Sequence, residues 1–262
     1  MLSNFRTRPA RPKVHRQEFS HAGKQVNVQV IDDLNLSPKP TAVMPILKRI
    51  IDVGLGTLLL LALSPIIAVC ALLVRLTSPG PAFYSQVRLG MFGKPFIIWK
   101  LRSMRNDAER GTGAMWCGKK DKRVTFIGKI LRKLHIDEFP QLLNVISGEM
   151  SLVGPRPERP EFFPALEASV PHYASRLLVR PGITGLAQAY LPPDESIETV
   201  QKKQIYDLYY IKHGNVLLDL RLMVVTGLQA VGVPHVMCRL IFVLPHPETI
   251  QPVYQVSKPG LR

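Results

Sequence analysis

The stretch 134-LHIDEFPQLLNVISGEMSLVGPRP-157 decides how the chain is read. Two adjacent carboxylates, Asp137 and Glu138, precede Pro140 and a run from Gln141 to Met150 with helical periodicity. Aspartate is a favoured helix N-cap, an acid suits a first turn, and proline is tolerated there because early N–H groups lack partners. The reading is a helix capped at Asp137, whose free N–H groups and positive dipole end attract phosphate and help keep both acids ionised. Arg156 follows, fixed between Pro155 and Pro157, and Arg180 lies in a tight Arg180-Pro181-Gly182 turn. A backbone set in advance lowers the cost of presenting a guanidinium fork to pairs of oxygens. Paired acids suit a metal or a nucleophile, and braced arginines suit phosphate. On its own the acid pair would be only a cap; the arginines make it a candidate site.

Upstream, Val53–Val74 is apolar and carries no charge, long enough for a hydrocarbon core of about 30 Å. It begins too far from Met1 for a removed signal peptide. Ser64-Pro65 sits at its centre, where proline removes a backbone hydrogen bond and bends a helix. Both flanks are basic, with Lys48-Arg49 before and Arg75, Arg88 and Lys94 after, so both favour the cytoplasmic side. A helix that enters, bends at Pro65 and returns satisfies both flanks. A kinked helix that crosses fully is the alternative.

The formal net charge of the 262 residues is +15. That balance suits anionic headgroups or phosphorylated substrates. Nucleic acid is not expected as a partner, because no zinc-finger spacing or RNP-like motif occurs. Cys70, Cys117 and Cys238 are scattered, with neither metal-ligand spacing nor a disulfide framework, which fits a reducing cytosolic face. Residues 1–44 carry Arg6, Arg8, Arg11, Lys13, Arg16, Lys24 and Lys39 among prolines, and read as a basic flexible tail with a short strand at Val26–Ile31.

Beyond the Thr77–Pro81 break, Phe96–Leu101 reads as a strand or short buried element, and Phe126–Leu134 as a basic amphipathic helix. Leu152-Val153 is extended, Ile197–Tyr210 helical, and Leu217–Val233 an apolar helix for the core or the headgroup layer. His135 reads as a structural neighbour of the acids. The expected fold is α+β, rich in helix with short strands, with a re-entrant membrane helix bent at Ser64-Pro65 and interfacial amphipathic helices. The expected division is a tail (1–44), the re-entrant helix (45–76), a catalytic domain (77–232) and a C-terminal tail (233–262).

Several ordered motifs then converge: Lys48-Arg49-Ile-Ile-Asp52, Ser64-Pro65, Ser78-Pro-Gly-Pro81, Arg88-Leu-Gly90, Lys100-Leu-Arg-Ser-Met104, the block Leu131–Pro157, Arg180–Gly185, Gln188, Asp207, Tyr210 and Asp219-Leu220. With them the chain resembles the bacterial sugar transferases, the monotopic polyprenyl-phosphate phosphoglycosyl transferases. The resemblance implies transfer of a sugar 1-phosphate from a UDP-sugar to a polyprenyl (undecaprenyl) phosphate with release of UMP, starting exopolysaccharide or O-antigen synthesis. It implies Asp137 as the nucleophile of a covalent phosphosugar intermediate, Glu138 as partner of a magnesium ion (Mg2+), and a catalytic domain on the cytoplasmic face of the bacterial inner membrane. Arg132, Arg156 and Arg180 are expected on substrate phosphate, with Lys100, Arg88 and Gln188. After Gln188 many relatives continue with an Asn-Gly-Arg-like segment, where this chain has Ala189-Tyr-Leu-Pro-Pro-Asp194, so the sugar is left open. A homo-oligomer is compatible with the sequence but not specified by it. The rival readings are a non-catalytic membrane adaptor of a polysaccharide-assembly complex and a glycosyltransferase that would release UDP.

Overall fold

The structure is a computed structural model that describes residues 14–21, 24–31, 43–111, 113, 115–118, 121–234, 237, 238, 242, 244, 245 and 250. It is helix-rich with short strands, as expected. The expected C-terminal tail lies mostly outside the described residues. Val43–Thr77 forms one long helix, α1, continuous through Pro65. Pro65 cannot donate to the carbonyl of Leu61, and the Ser64 hydroxyl does so instead at 2.8 Å. The Ser-Pro pair thus replaces the hydrogen bond that it removes.

One stripe of α1 packs on the body of the protein along both halves. Leu55, Leu59, Leu60 and Leu63 meet the main core, while Cys70 and Val74 join Leu101 and Leu131. The opposite stripe, with Leu58, Leu61, Ile66, Val69, Leu72 and Leu76, is exposed. Near the start of α1, Lys48 pairs with Asp219 at 2.6 Å and donates to Val153 O at 3.2 Å. Arg49 donates to Val145 O and Ile146 O at 2.6 and 2.7 Å, and Asp52 accepts from Ser151 Oγ and Leu152 N. Past the other end, buried Arg102 donates to Pro79 O and Ser78 O. Gly80 has φ +112°, and a Cβ there would lie 2.2 Å from the Arg102 guanidinium, so the turn requires glycine.

Strands β1 (Val14–His21) and β2 (Lys24–Ile31) pair antiparallel. The strand expected at Val26–Ile31 thus has a partner within the segment read as a flexible tail. A second antiparallel pair, β3 (Phe83–Leu89) and β4 (Pro95–Leu101), lies between α1 and α2 (Phe126–Lys133). Thr125 caps α2, and Gly128 is packed so tightly on Ser103 O that a Cβ would lie 1.9 Å away. A 3-10 turn, Ile136–Gln141, leads into α3 (Leu142–Ser147), which stops at Gly148. This corrects the expected cap: the turn opens at His135, left-handed at φ 56°, and Asp137 lies inside its first turn.

Beyond it, β5 (Ser151–Val153) pairs parallel with β6 (Gly182–Thr184). The remaining helices are α4 (Phe163–Ser169), α5 (Leu186–Tyr190), α6 (Ile197–His213) and α7 (Val216–Ala230). Ser196 caps α6 and Asn215 caps α7. The main core joins Phe96 and Ile98 of β4, Leu142 and Val145 of α3, Leu152 of β5, Leu208 of α6 and Leu222 of α7.

Asp219 also accepts the Tyr210 hydroxyl at 2.6 Å, so Asp219→Ala leaves the buried Tyr210 hydroxyl and the half-buried Lys48 ammonium with only Val153 O as acceptor. The expected cost is about 2–3 kcal/mol, with Asp219→Asn intermediate. Thermal unfolding in detergent measures it, and an unchanged midpoint for the alanine variant would rule out this joint as a source of stability.

Candidate active site

Asp137 and Glu138 are both buried, at 7% and 8% exposure, although they are adjacent in a short turn. Glu138 carries the contacts. Lys100 Nζ donates to its Oε1 at 2.9 Å, and Arg156 grips both of its oxygens. Lys100 reaches it because β4 alternates: Phe96, Ile98 and Lys100 share the inner face, so the ammonium follows two core residues inward. Among the described residues no hydrogen-bond donor serves the Asp137 carboxylate.

The two acids are driven in opposite directions. Burial pushes Asp137 up, and the Glu138 charge adds to that, against Lys100, Arg132 and Arg156. Burial would also raise Glu138, but Arg156 and Lys100 outweigh it by charge and hydrogen bonds, holding Glu138 well below the usual carboxylate range. The sequence expectation that both acids are kept ionised therefore applies to Glu138 and is opposed at Asp137.

Arg156 stands on a loop whose successive carbonyls are all engaged. Pro155 O accepts from Gly182 N at 2.9 Å, and Arg156 O from Arg176 at 3.0 Å. Pro157 O accepts from Arg88 at 3.0 Å, and Glu158 O from Leu89 N at 2.9 Å. The prolines that suggested a rigid arginine are thus reinforced from three directions. Gly182 must be glycine for this: a Cβ there would lie 2.1 Å from Gly154 N.

The other expected phosphate ligands divide. Arg132, in the last turn of α2, lies within electrostatic reach of Asp137 and is oriented by Ser103 Oγ and Cys117 Sγ, each at 2.8 Å. Arg88 is spent on structure, with Gln86 and the Pro157 carbonyl as its partners. Arg180 is not brought to the acids: its Nε donates to Gly148 O at 3.0 Å, past the far end of α3. Gln188 donates to Ile183 O at 2.9 Å, bracing the turn from β6 into α5. His135 is an exposed turn residue.

Beneath Arg156 lies a layer whose connections the sequence did not reveal. Arg176 pairs with Asp207 at 3.0 Å and contacts the Tyr173 hydroxyl, which donates to Glu158 at 2.9 Å. Glu158 directly follows the Pro-Arg-Pro run, the one local signal that could have flagged it.

The body is helix-rich, with a long docked apolar helix and a carboxylate pair buried among cations. The sequence profile of the bacterial sugar transferases matches residues 43–232, and the chain belongs to that family. It is 45% identical over 161 residues (62% of this chain, 89% of the relative) to a Bacillus subtilis (strain 168) protein provisionally named an undecaprenyl-phosphate N-acetylgalactosaminyl 1-phosphate transferase. It is 40% identical over 191 residues (72% and 71%) to the UDP-glucose:undecaprenyl-phosphate glucose-1-phosphate transferase of Caulobacter vibrioides. The enzyme of that name from Escherichia coli (strain K12) is 39% identical over 183 residues, which is 69% of this chain but 39% of that longer protein.

Asp207 offers a direct test of the supporting layer. Burial pushes its carboxyl up to about 6, against the pull of Arg176 and Lys203. A carboxyl raised on folding binds its proton more tightly in the native state. Its stabilising contribution is complete below the ordinary aspartate value and is lost as pH rises through about 6. Asp207→Asn removes that dependence, so wild type should lose up to about 3 kcal/mol relative to the variant between pH 4 and pH 7. Denaturant unfolding of both proteins across that range reads it; a pH-independent difference would contradict the assignment.

Proposed function

We propose that this enzyme transfers a sugar 1-phosphate from a UDP-sugar to a polyprenyl phosphate, undecaprenyl phosphate in the named relatives, releasing UMP and starting a lipid-linked glycan. The observation that carries the reading is the asymmetry of the acid pair. Glu138 is matched by Arg156 and Lys100, while Asp137 keeps lone pairs that no hydrogen-bond donor among the described residues occupies. An Asp137 oxygen attacks the sugar-bearing phosphorus. The bond from that phosphorus to the bridging oxygen breaks, and the electron pair leaves with UMP. The resulting acyl phosphate is then attacked by an oxygen of the lipid phosphate, which takes the sugar phosphate and frees Asp137. Arg156 and Arg132 offset the charge of the incoming diphosphate.

Mg2+ commonly binds through one or two carboxylates plus substrate phosphates, and keeps several waters. Among the described residues no group of three His, Cys, Asp or Glu side chains converges, and the acid pair is a donor set of that substrate-completed kind. Glu138, with Asp137 beside it, would hold the ion, which when bound neutralises phosphate charge. Because Arg156 and Lys100 already balance Glu138, the ion's affinity here depends on the anionic substrate.

The packing of α1 supports a re-entrant anchor on the cytoplasmic face of the inner membrane. Both halves of α1 lie on the same body, and basic residues stand at both ends. A helix crossing the bilayer alone could not keep both halves against one polar domain. The exposed stripes Phe126, Ile130 and Leu134 at α2, and Leu217, Leu220 and Val224 on α7, suit the interface.

Incubating the protein with sugar-labelled UDP-sugars and Mg2+, without lipid acceptor, is expected to label wild type and not Asp137→Asn. Label on neither, or equal label on both, would defeat the covalent route. The acid limb of kcat/KM should lie above the ordinary aspartate value of about 3.9, because the attacking form is lost as pH falls through a raised value. Lys100→Met removes a cation that lowers Asp137 and should move the limb to higher pH. A limb that stays in place would show that another group sets it.

A further inference from the structure

Lys203 stands on the inner face of α6, in line with buried Val200, Gln204 and Asp207. Its side chain is 10% exposed, and its ion-pair partner is Asp194 Oδ1 at 2.9 Å, the only one among the described residues. An ammonium has three donors, and a single buried ion pair is a weak source of stability. Burial disfavours the charged form of Lys203, with Asp194 opposing that. Asp194 itself is presented by Pro192 and Pro193 in the segment between α5 and α6, and its side chain is 23% exposed. The charges of Asp194 and Lys203 both act on Arg156, whose own side chain is 42% exposed. Lys203 stands one helical turn before Asp207, whose carboxylate accepts from Arg176 at 3.0 Å, and Arg176 donates to Arg156 O at 3.0 Å, so the pair joins the layer that carries the Arg156 loop.

Resting on the transferase reading, we propose that Lys203 binds the phosphate of the departing nucleotide, with Asp194 as its stand-in partner until that phosphate arrives. When the Asp137 oxygen bonds to the sugar-bearing phosphorus, the bridging oxygen leaves with its electron pair on the nucleotide phosphate. A second cation beside Arg156 meets that growing charge. The diphosphate outcompetes the single Asp194 carboxylate because it brings more negative charge to the same ammonium. Asp194 is then released from the ammonium, in the segment between α5 and α6.

The test measures UMP, as a product inhibitor and by direct binding, on the full chain in nanodiscs. Lys203→Met should weaken UMP about 10- to 100-fold, the loss of one charged phosphate contact. Lys203→Arg should stay within a few-fold of wild type, and Asp194→Asn, which removes the competing carboxylate charge, should bind UMP more tightly than wild type. A purely structural pair predicts instead that Lys203→Met and Asp194→Asn lose thermal stability together and leave UMP affinity unchanged. That result, or UMP binding in Asp194→Asn no tighter than in wild type, overturns the proposal. Should Lys203→Met fail to fold, tighter UMP binding by Asp194→Asn supports the proposal, and an affinity equal to that of wild type overturns it. A wild-type protein that neither releases nor binds UMP would sink the transferase reading itself, whereas UMP release with an unaffected Lys203→Met sinks only this proposal.

Discussion

One turn near the start of α1 makes three unlike attachments to the body of the protein. Lys48 gives its ammonium to Asp219 and Val153, Arg49 caps the carbonyl end of α3, and Asp52 accepts from β5. The attached elements are the ones that frame the acids. At about 1.5 Å per residue, α3 is only about 9 Å long, with the acid turn at one end and the Arg49 attachment at the other. The position of Asp137 relative to the apolar helix is therefore set by a short, stiff element rather than by a linker. This placement suits chemistry whose acceptor stays in a lipid layer.

The same economy governs the electrostatics. Burying a carboxylate costs several kcal/mol unless it is paired. The fold pairs one acid of two and leaves its neighbour bare. Had Arg156 and Lys100 been shared evenly, both acids would be stabilised as anions and the two carboxylates would not differ. Concentrating both cations on Glu138 fixes the local charge and leaves the Asp137 carboxylate without a hydrogen-bond donor among the described residues. The arrangement holds only if Arg156 cannot follow a different partner, and the engaged carbonyls of residues 155–158 deny it that freedom.

Much of this was legible in the sequence, and the failures share a cause. Phe96–Leu101 reads as a strand or short buried element, and the prolines announce a stiff Arg156. Those signals are local. Arg180 looked as suited to phosphate as Arg156, because a proline or glycine neighbour says that a backbone is fixed without saying what the guanidinium meets. Its Nε meets Gly148 O, a backbone carbonyl distant in sequence, and no side-chain pattern encodes a carbonyl. The N-cap at Asp137 failed for a different reason: His135 adopts a left-handed conformation and starts a 3-10 turn early, against its own intrinsic preference. Strand β3 escaped notice because its burial does not alternate cleanly.

The β3–β4 hairpin shows how closely the polar site and the apolar surface are joined. Lys100 points inward to Glu138, while Ile97 and Trp99 on the opposite face are half exposed. Neighbouring residues of one strand thus serve a buried ion cluster and a surface of the kind that settles at a headgroup layer. A strand rises only about 3.3 Å per residue, so no intervening layer of protein can separate the two environments. On the function proposed above, that thinness would let the acceptor headgroup reach a desolvated acid while its prenyl chain stays on the apolar side.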